Sequence, residues 1–382
     1  MRLWSRLSFP LLVAVTVLAT AGCGSGAGAQ ATSRATAHDS VDPIAPGATL
    51  LTLYPGHAYT PVTPPGGGTD DYHCTLLDPR LSTNSMIVAS HFFPESPEVH
   101  HAILFLVPPD VAAQARAADS GGKGWTCFGE SVLPAQGLAG LARTPWLSAW
   151  APGHGLDRAP RGTGISFPAG SLVVMQIHYN MLAGRRPVRA KLVLQTVPGT
   201  RHLQDLHLSL LPAPPDVPCP TGVTGALCNR QASIADLGQR FGPELPRFVS
   251  FLEQVCGRDP NNPPAGDTTS CTWPVPFTGR ILRLTAHMHL LGKGMTIVLD
   301  PGTPRQQTLL DVTNFNFDYQ RSYDLGHPVT VGPSDRIQVS CTYNPQLHEL
   351  LPELRRLPPR FVTWGDGSTD EMCLAIVDWV TG

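Results

Sequence analysis

Short runs of apolar and β-branched residues, broken by glycine and proline, recur along most of the chain. Ser85–Ala89, Ala102–Val107, Ser171–Tyr179, Ala190–Val197 and His207–Leu211 form a first set. Arg280–Ala286, Met295–Leu299, Arg336–Tyr343 and Leu374–Val380 form a second. Runs this short and this rich in Val and Ile predict strands rather than helices. Between the sets, Pro212–Pro276 breaks the pattern with prolines and paired cysteines. Within it, Ile234–Gln254 has helical spacing but contains Pro243 and Pro246, which predicts one broken helix. Ser131–Arg161 is interrupted by glycine and proline and reads as a long loop. The whole predicts an all-β chain of two tandem β-sandwich, jelly-roll-like domains. Residues 46–200 form the first, 201–278 a linker or insertion, and 279–382 the second, which also takes in part of 201–278.

Composition sharpens this picture. Of 382 residues, 37 are glycine and 39 proline, as many short strands and turns require. A net charge of −2 with no basic stripe argues against a nucleic-acid partner. At the N-terminus, Arg2 and Arg6 precede the apolar stretch Leu7–Leu18 and the small residues Thr20-Ala21-Gly22-Cys23. That is an export signal, too short to span a bilayer. It resembles a bacterial lipoprotein signal, which makes residues 1–22 the signal peptide and Cys23 the lipidated first residue. Residues 23–45 are then a flexible tether, and the protein is an extracytoplasmic lipoprotein on the cell membrane. Thr20 stands where leucine is usual in such signals, and cleavage after Ala19-Thr20-Ala21 is the competing reading. Nine cysteines are odd in number; giving Cys23 to a lipid leaves eight. These are Cys74, Cys127, Cys219, Cys228, Cys256, Cys271, Cys341 and Cys373, without C-x-x-C spacing, and are read as four disulfides.

The candidate chemistry lies in the histidines. His100 and His101 open the run Ala102-Ile103-Leu104-Phe105, and His178 closes Val173–Ile177. On a strand, His287 and His289 point to one face, as two ligands of one metal must. The neighbours His100 and His101 point oppositely on an ideal strand, so a bulge or strand end has to re-aim one of them. Adding Met372 gives two donor sets of unlike softness: three imidazoles, and two imidazoles with a thioether. A thioether is a poor ligand for zinc and a good one for Cu(I). Taken singly, each motif is an ordinary surface or core feature. Seven of the nine other histidines (His57, His73, His154, His202, His207, His327, His348) read as surface or hydrogen-bonding residues. Asp370 and Glu371 read as structural partners of the Met372 turn rather than as general acids.

Five segments in one order change the weight of these features. They are His100-His101-Ala-Ile-Leu-Phe, Gln176-Ile-His178-Tyr-Asn180, Ala286-His287-Met288-His289-Leu-Leu-Gly-Lys293, Cys341-Thr-Tyr-Asn344 and Gly367-Ser-Thr-Asp-Glu371-Met372-Cys373. Tyr72-His73-Cys74, Trp125-Thr-Cys127 and Ala149-Trp-Ala-Pro152 accompany them. The chain so resembles the type II, ascorbate-dependent copper monooxygenases, the family of peptidylglycine α-hydroxylating and dopamine β-monooxygenases. The resemblance runs from Tyr72 to Val380 and is weakest between Leu206 and Thr278. It implies two β-sandwich domains with one copper on each, facing across a solvent-filled cleft. His100, His101 and His178 match the three-histidine copper site. His287, His289 and Met372 match the second, where dioxygen binds and the substrate C–H bond is attacked. Cys74 with Cys127 and Cys341 with Cys373 match disulfides of the family; Cys219–Cys228 and Cys256–Cys271 follow from proximity in sequence alone.

The function so implied is hydroxylation of a small organic molecule, with two coppers, dioxygen and ascorbate or a similar reductant. Gln176 and Tyr72 match residues near the coppers and are given a supporting role. Peptide-hydroxylating relatives place an arginine two residues before the H-x-H; here Thr285 stands there, with Arg283 two residues further back. Their tyrosine-rich segment after the Met-Cys pair is replaced by Leu374–Trp379. Two other readings remain: a non-catalytic copper-binding or storage lipoprotein, and a zinc hydrolase using His100, His101 and His178. The second leaves Met372 without a role.

Overall fold

Antiparallel sheets stacked in two facing pairs make up most of this computed structural model, which describes residues 44–63, 69–127, 133, 145–181 and 183–382. The expected signal peptide, Cys23 and all but the end of the 23–45 tether lie outside these residues. In the first pair, one sheet runs Thr49–Leu53, Lys191–Pro198, Ser85–Phe93, Thr163–Phe167, Gln204–Asp205. The other runs Trp125–Thr126, Asp70–Leu77, Leu172–Asn180, Val99–Val107, Trp146–Trp150. Alternate residues of both sheets, among them Ile87, Phe92, Leu104, Met175, Leu192 and Leu194, meet in one core. In the second pair, His207–Pro212, Cys373–Thr381, Gly279–Met288 and Ser322–Val331 face Thr268–Pro274, Arg336–Tyr343, Gly292–Leu299 and Gln307–Val312. Leu284, Ile297, Ile337, Val339 and Val377 lie in the core between them.

Each apolar run read from the sequence falls on a strand, with Ser171 and Ala190 one residue ahead of theirs, but the segments between the runs hold more structure than expected. Trp146–Trp150, expected inside a long loop, is an edge strand paired with Val99–Val107; most of the preceding 131–144 lies outside the described residues. The 201–278 segment does more than link. Gln204–Asp205 pairs with the first sandwich, while His207–Pro212 and Thr268–Pro274 are edge strands of the second. The chain therefore crosses from one sandwich to the other at Leu206. The expected single broken helix is two helices, Arg230–Phe241 and Glu244–Val255, parted at Gly242-Pro243. Pro246 falls in the first turn of the second helix, where a missing N–H removes no helical bond. Leu237, Phe241, Phe248 and Leu252 of these helices pack with Tyr72, Trp364, Leu374 and Ile376, which ties the pair to both sandwiches.

The structure pairs Cys74 with Cys127, Cys219 with Cys228, Cys256 with Cys271 and Cys341 with Cys373. Four disulfides fit an extracytoplasmic compartment. Among the described residues, no helix is long and apolar enough to cross a membrane.

Two bulges aim the candidate ligands. Between Val99 and His101 the register against Leu172–Asn180 slips by one residue, which makes His100 the extra residue. His101 then stands directly opposite His178, and His178 directly opposite Tyr72, in a row across three adjacent strands. In Gly279–Met288 the register slips between Ile281 and Arg283. The core-facing residues are Gly279 and Ile281 before the slip, and Leu284, Ala286 and Met288 after it. Without that bulge His287 would point into the core, because strand faces alternate strictly.

Beyond the slip, Met288 lies opposite Cys373 and His287 opposite Leu374. One step further along the same antiparallel register sets His289 against Met372. A single carboxylate fastens this end: Glu371, fully buried, accepts from the backbone N–H of His289 at 3.1 Å, Leu291 at 2.7 Å and Met372 at 3.2 Å. The Gly292–Leu299 strand starts so close beneath that a Cβ on Gly292 would come within 2.7 Å of Met288 Cβ.

Burial pushes the Glu371 carboxyl up to about 8, against the opposing pull of its three N–H donors. An unfolded glutamate titrates near ~4.3. The stability linked to this group is therefore fully present below the unfolded value and is lost as pH rises towards about 8. Urea denaturation of metal-free protein should show Glu371→Gln removing part of the decline in stability across that window. An unchanged slope in the variant would refute this.

Candidate metal centres

His100, His101 and His178 bring their ring nitrogens together, with the ligand atoms within 4.8 Å of one another. His101 Nδ1 lies 3.3 Å from His100 Nδ1 and 3.2 Å from His178 Nδ1. Two nitrogens bound at ~2.0 Å to one ion, at a tetrahedral angle, stand roughly 3.3 Å apart. The spacing thus fits a single metal held by three Nδ1 atoms. His178 donates from Nε2 to Asp70 Oδ1 at 2.7 Å, which leaves its Nδ1 lone pair for the metal. The Tyr72 ring stacks on His178 at 4.3 Å, and its hydroxyl donates to the Asp366 carbonyl. Burial, with His178 adjacent, pushes the His100 imidazole down to about 3; burial likewise holds His101 well below its ordinary value. Both rings are therefore neutral, the form that ligates.

The second set faces the first. His287 donates from Nδ1 to Gln320 Oε1 at 2.7 Å, and His289 from Nδ1 to the Asp370 carbonyl at 3.2 Å. Both rings thus keep Nε2 as the free lone pair. Their centroids are 5.3 Å apart and their planes nearly perpendicular. Burial lowers both imidazoles, His289 far below the ordinary range. The Asp370 side chain is held by Arg240 in a two-pronged ion pair of 2.9 and 2.7 Å. That clamp fixes the carbonyl which orients His289.

His100, His101, His287, His289 and Met372 all line one cavity of about 260 Å³. Phe317 stands between the sets, 4.8 Å from the His100 ring and 6.0 Å from the His289 ring, centroid to centroid. The two donor sets are therefore separated by little more than one aromatic ring. Gln176 lines the same cavity and donates to Cys127 Sγ, a structural contact.

Asp70, Phe317 and Gln320 escaped the sequence reading. Phe317 and Gln320 sit in an irregular stretch between strands, where no periodicity marks them. Asp70 had one weak signal, an Asp-Asp pair opening a strand whose next residues, Tyr72-His73-Cys74, are apolar or aromatic in character.

Residues 267–380 match the copper type II ascorbate-dependent monooxygenase, C-terminal domain. DBH-like monooxygenase protein 2 of Mus musculus is 30% identical over 89 residues, 23% of this chain and 13% of the mouse protein. The match thus spans a small part of that relative's length. Among solved structures, an allantoicase aligns over 82% of this chain and 78% of its own, with 9% identity and a TM-score of 0.20. A peptide-N(4)-(N-acetyl-β-D-glucosaminyl) asparagine amidase aligns over 87% and 96%, with 9% identity and a TM-score of 0.32. Neither structural likeness contributes to the assignment. His287, His289 and Met372 all fall inside the segment of the second sandwich that matches this C-terminal domain.

Proposed function

We propose that the protein is a copper-dependent monooxygenase that hydroxylates a C–H bond of a small organic molecule, using dioxygen and an ascorbate-like reductant. The observation that carries this reading is the pair of unlike donor sets on opposite walls of one apolar cavity. Storage of copper requires neither two dissimilar sites nor a shared cavity, and a zinc hydrolase gives Met372 no task.

In this reading His100, His101 and His178 would hold one copper through Nδ1, and His287, His289 and Met372 would hold the other through Nε2 and the thioether. Bound there, copper would supply the one-electron redox chemistry for inserting one atom of dioxygen into a C–H bond and releasing the other as water, with the ascorbate-like reductant furnishing the two electrons and two protons. The chain's own part is positioning. Asp70 fixes the tautomer of His178, Gln320 that of His287, and the Asp370 carbonyl that of His289. Glu371 locks the backbone on both sides of the Met372–His289 pair. Trp146, Trp150, Trp273 and Trp364 wall the cavity and keep bulk water from the reacting centre. Export and lipid attachment at Cys23 complete the proposal, with the catalytic part outside the cytoplasm.

Reconstitution with excess copper should load two ions per chain, read by elemental analysis, with a copper–sulfur scattering path in the reduced form. Met372→His should keep the fold and two coppers, lose the sulfur path and abolish reductant-dependent oxygen consumption. Full activity in that variant would remove Met372 from the site.

Asp70→Asn tests the other set. Its weaker hydrogen bond to His178 should lower affinity for one copper by ~10-fold, in a Cu(I)-chelator competition, with thermal stability nearly unchanged. Unchanged affinity for both ions would disprove the role given to Asp70.

A further inference from the structure

The cavity between the donor sets lacks what would hold an ionised ligand. Among the described residues that line it, none is a lysine or arginine. Arg283, on the wall of the adjoining pocket, is already committed: it donates to Asp378, to Asp157 at 2.8 Å and to the Arg158 carbonyl at 2.8 Å. The one acidic residue among the described lining, Asp366, is 5% exposed and has a partner within the protein. In the metal-free protein, an ion entering this space would give up water for mainly apolar walls, with no charged partner offered by the described basic side chains, which is costly.

The walls instead favour a flat or compact hydrocarbon. Trp146, Trp150, Trp273, Trp364, Phe248 and Phe317 present ring surfaces, and aliphatic side chains such as Leu210 and Ile376 fill the gaps. A dry engineered cavity of ~150 Å³ holds one benzene. By that measure the present cavity takes a molecule of roughly ten non-hydrogen atoms.

We propose that this cavity receives an uncharged, mainly hydrocarbon, ring-bearing molecule, and selects against carboxylates and ammonium ions of the same shape. The proposal rests on reading the cavity as the substrate site, and it names the substrate class of that site. Selection comes from desolvation: the neutral molecule gains from burial in the tryptophan box, whereas each ion must surrender its hydration.

The test uses 4-phenylbutanol, 4-phenylbutylamine and 4-phenylbutanoate with the full-length protein, both Cu(I)-loaded and metal-free. Binding is read by calorimetry and by quenching of tryptophan fluorescence. In the metal-free form the alcohol should bind at least ~10-fold more tightly than either ion, since that ratio needs only a small share of an unpaired ion's burial cost; in the Cu(I)-loaded form it should still bind more tightly than the amine. Thr285→Arg, which sets a guanidinium on the cavity wall, should raise affinity for 4-phenylbutanoate and lower that for the amine. A carboxylate or ammonium ligand that matches or beats the alcohol in the metal-free form overturns the proposal. So does failure of all three ligands to bind, or a Thr285→Arg variant with unaltered preference. If the protein takes up no copper but the metal-free form keeps this ranking, the monooxygenase reading fails and the cavity assignment stands.

Discussion

A buried carboxyl group that accepts from three backbone N–H groups fixes the geometry of the second donor set. Glu371 receives three N–H groups, one from each stretch of chain that meets at His289, Leu291 and Met372. Removing its water is expensive, and the hydrogen bonds offset that cost only when all three donors are in place. The arrangement is therefore close to all-or-none: either the turn and the strand end close together or neither does. The Cys341–Cys373 bridge adds a covalent tie at the same end, one residue beyond Met372. A thioether on a flexible side chain gains a defined position because its backbone has none to choose.

The same turn reaches the first sandwich. Tyr72 donates to the Asp366 carbonyl, and Ser368 lies within a long hydrogen bond, 3.5 Å, of the carboxylate of Asp70 that orients His178. Phe317 stacks on His100 while its own loop supplies Gln320 to His287. Arg283 joins Asp378 on one sandwich to Asp157 on the other. The resemblance implied two sites facing across a solvent-filled cleft. In the structure, aromatic and polar side chains cross that space, and what remains is a largely apolar cavity. Each donor set is thus oriented partly by residues of the opposite sandwich, so their geometries are not independent.

Much of this was legible in the sequence because strand-forming runs and short ligand motifs are local signals. Val and Ile clusters marked the core strands, and the spacing of His287 and His289 marked a shared face. The adjacency of His100 and His101 demanded a bulge, and the register slips where that demand falls. What stayed hidden is non-local. Trp146–Trp150 is a strand because Val99–Val107 offers it an edge, and its flanking glycines and prolines disguise it. Thr268–Pro274 likewise earns its place only as the edge partner of a strand more than sixty residues away in sequence, and His207–Pro212, legible as a strand, owes its place in the second sandwich to a still more distant partner. Asp70 acquires a role only from the pairing that brings it beside His178, 108 residues on. The break at Gly242-Pro243 was legible as a break, but a proline in a first turn does not interrupt a helix, so Pro246 was a false stop.

Desolvation would connect the proposed metal chemistry to the proposed choice of substrate. The aromatic and aliphatic walls that exclude water make protonation of His100, His101 and His289 unfavourable, which leaves their lone pairs available for a metal. Those same walls make an ionised ligand unfavourable and an uncharged one welcome. A cavity built with an arginine to hold a carboxylate would place a fixed cation near these imidazoles and would hold more water around them. Thr285, bonded through its hydroxyl to Ser322 at 2.7 Å, avoids both effects. The low polarity of the space is thus a single property with two consequences, and a substitution that admits charge for the substrate's sake must also alter the environment of the donors.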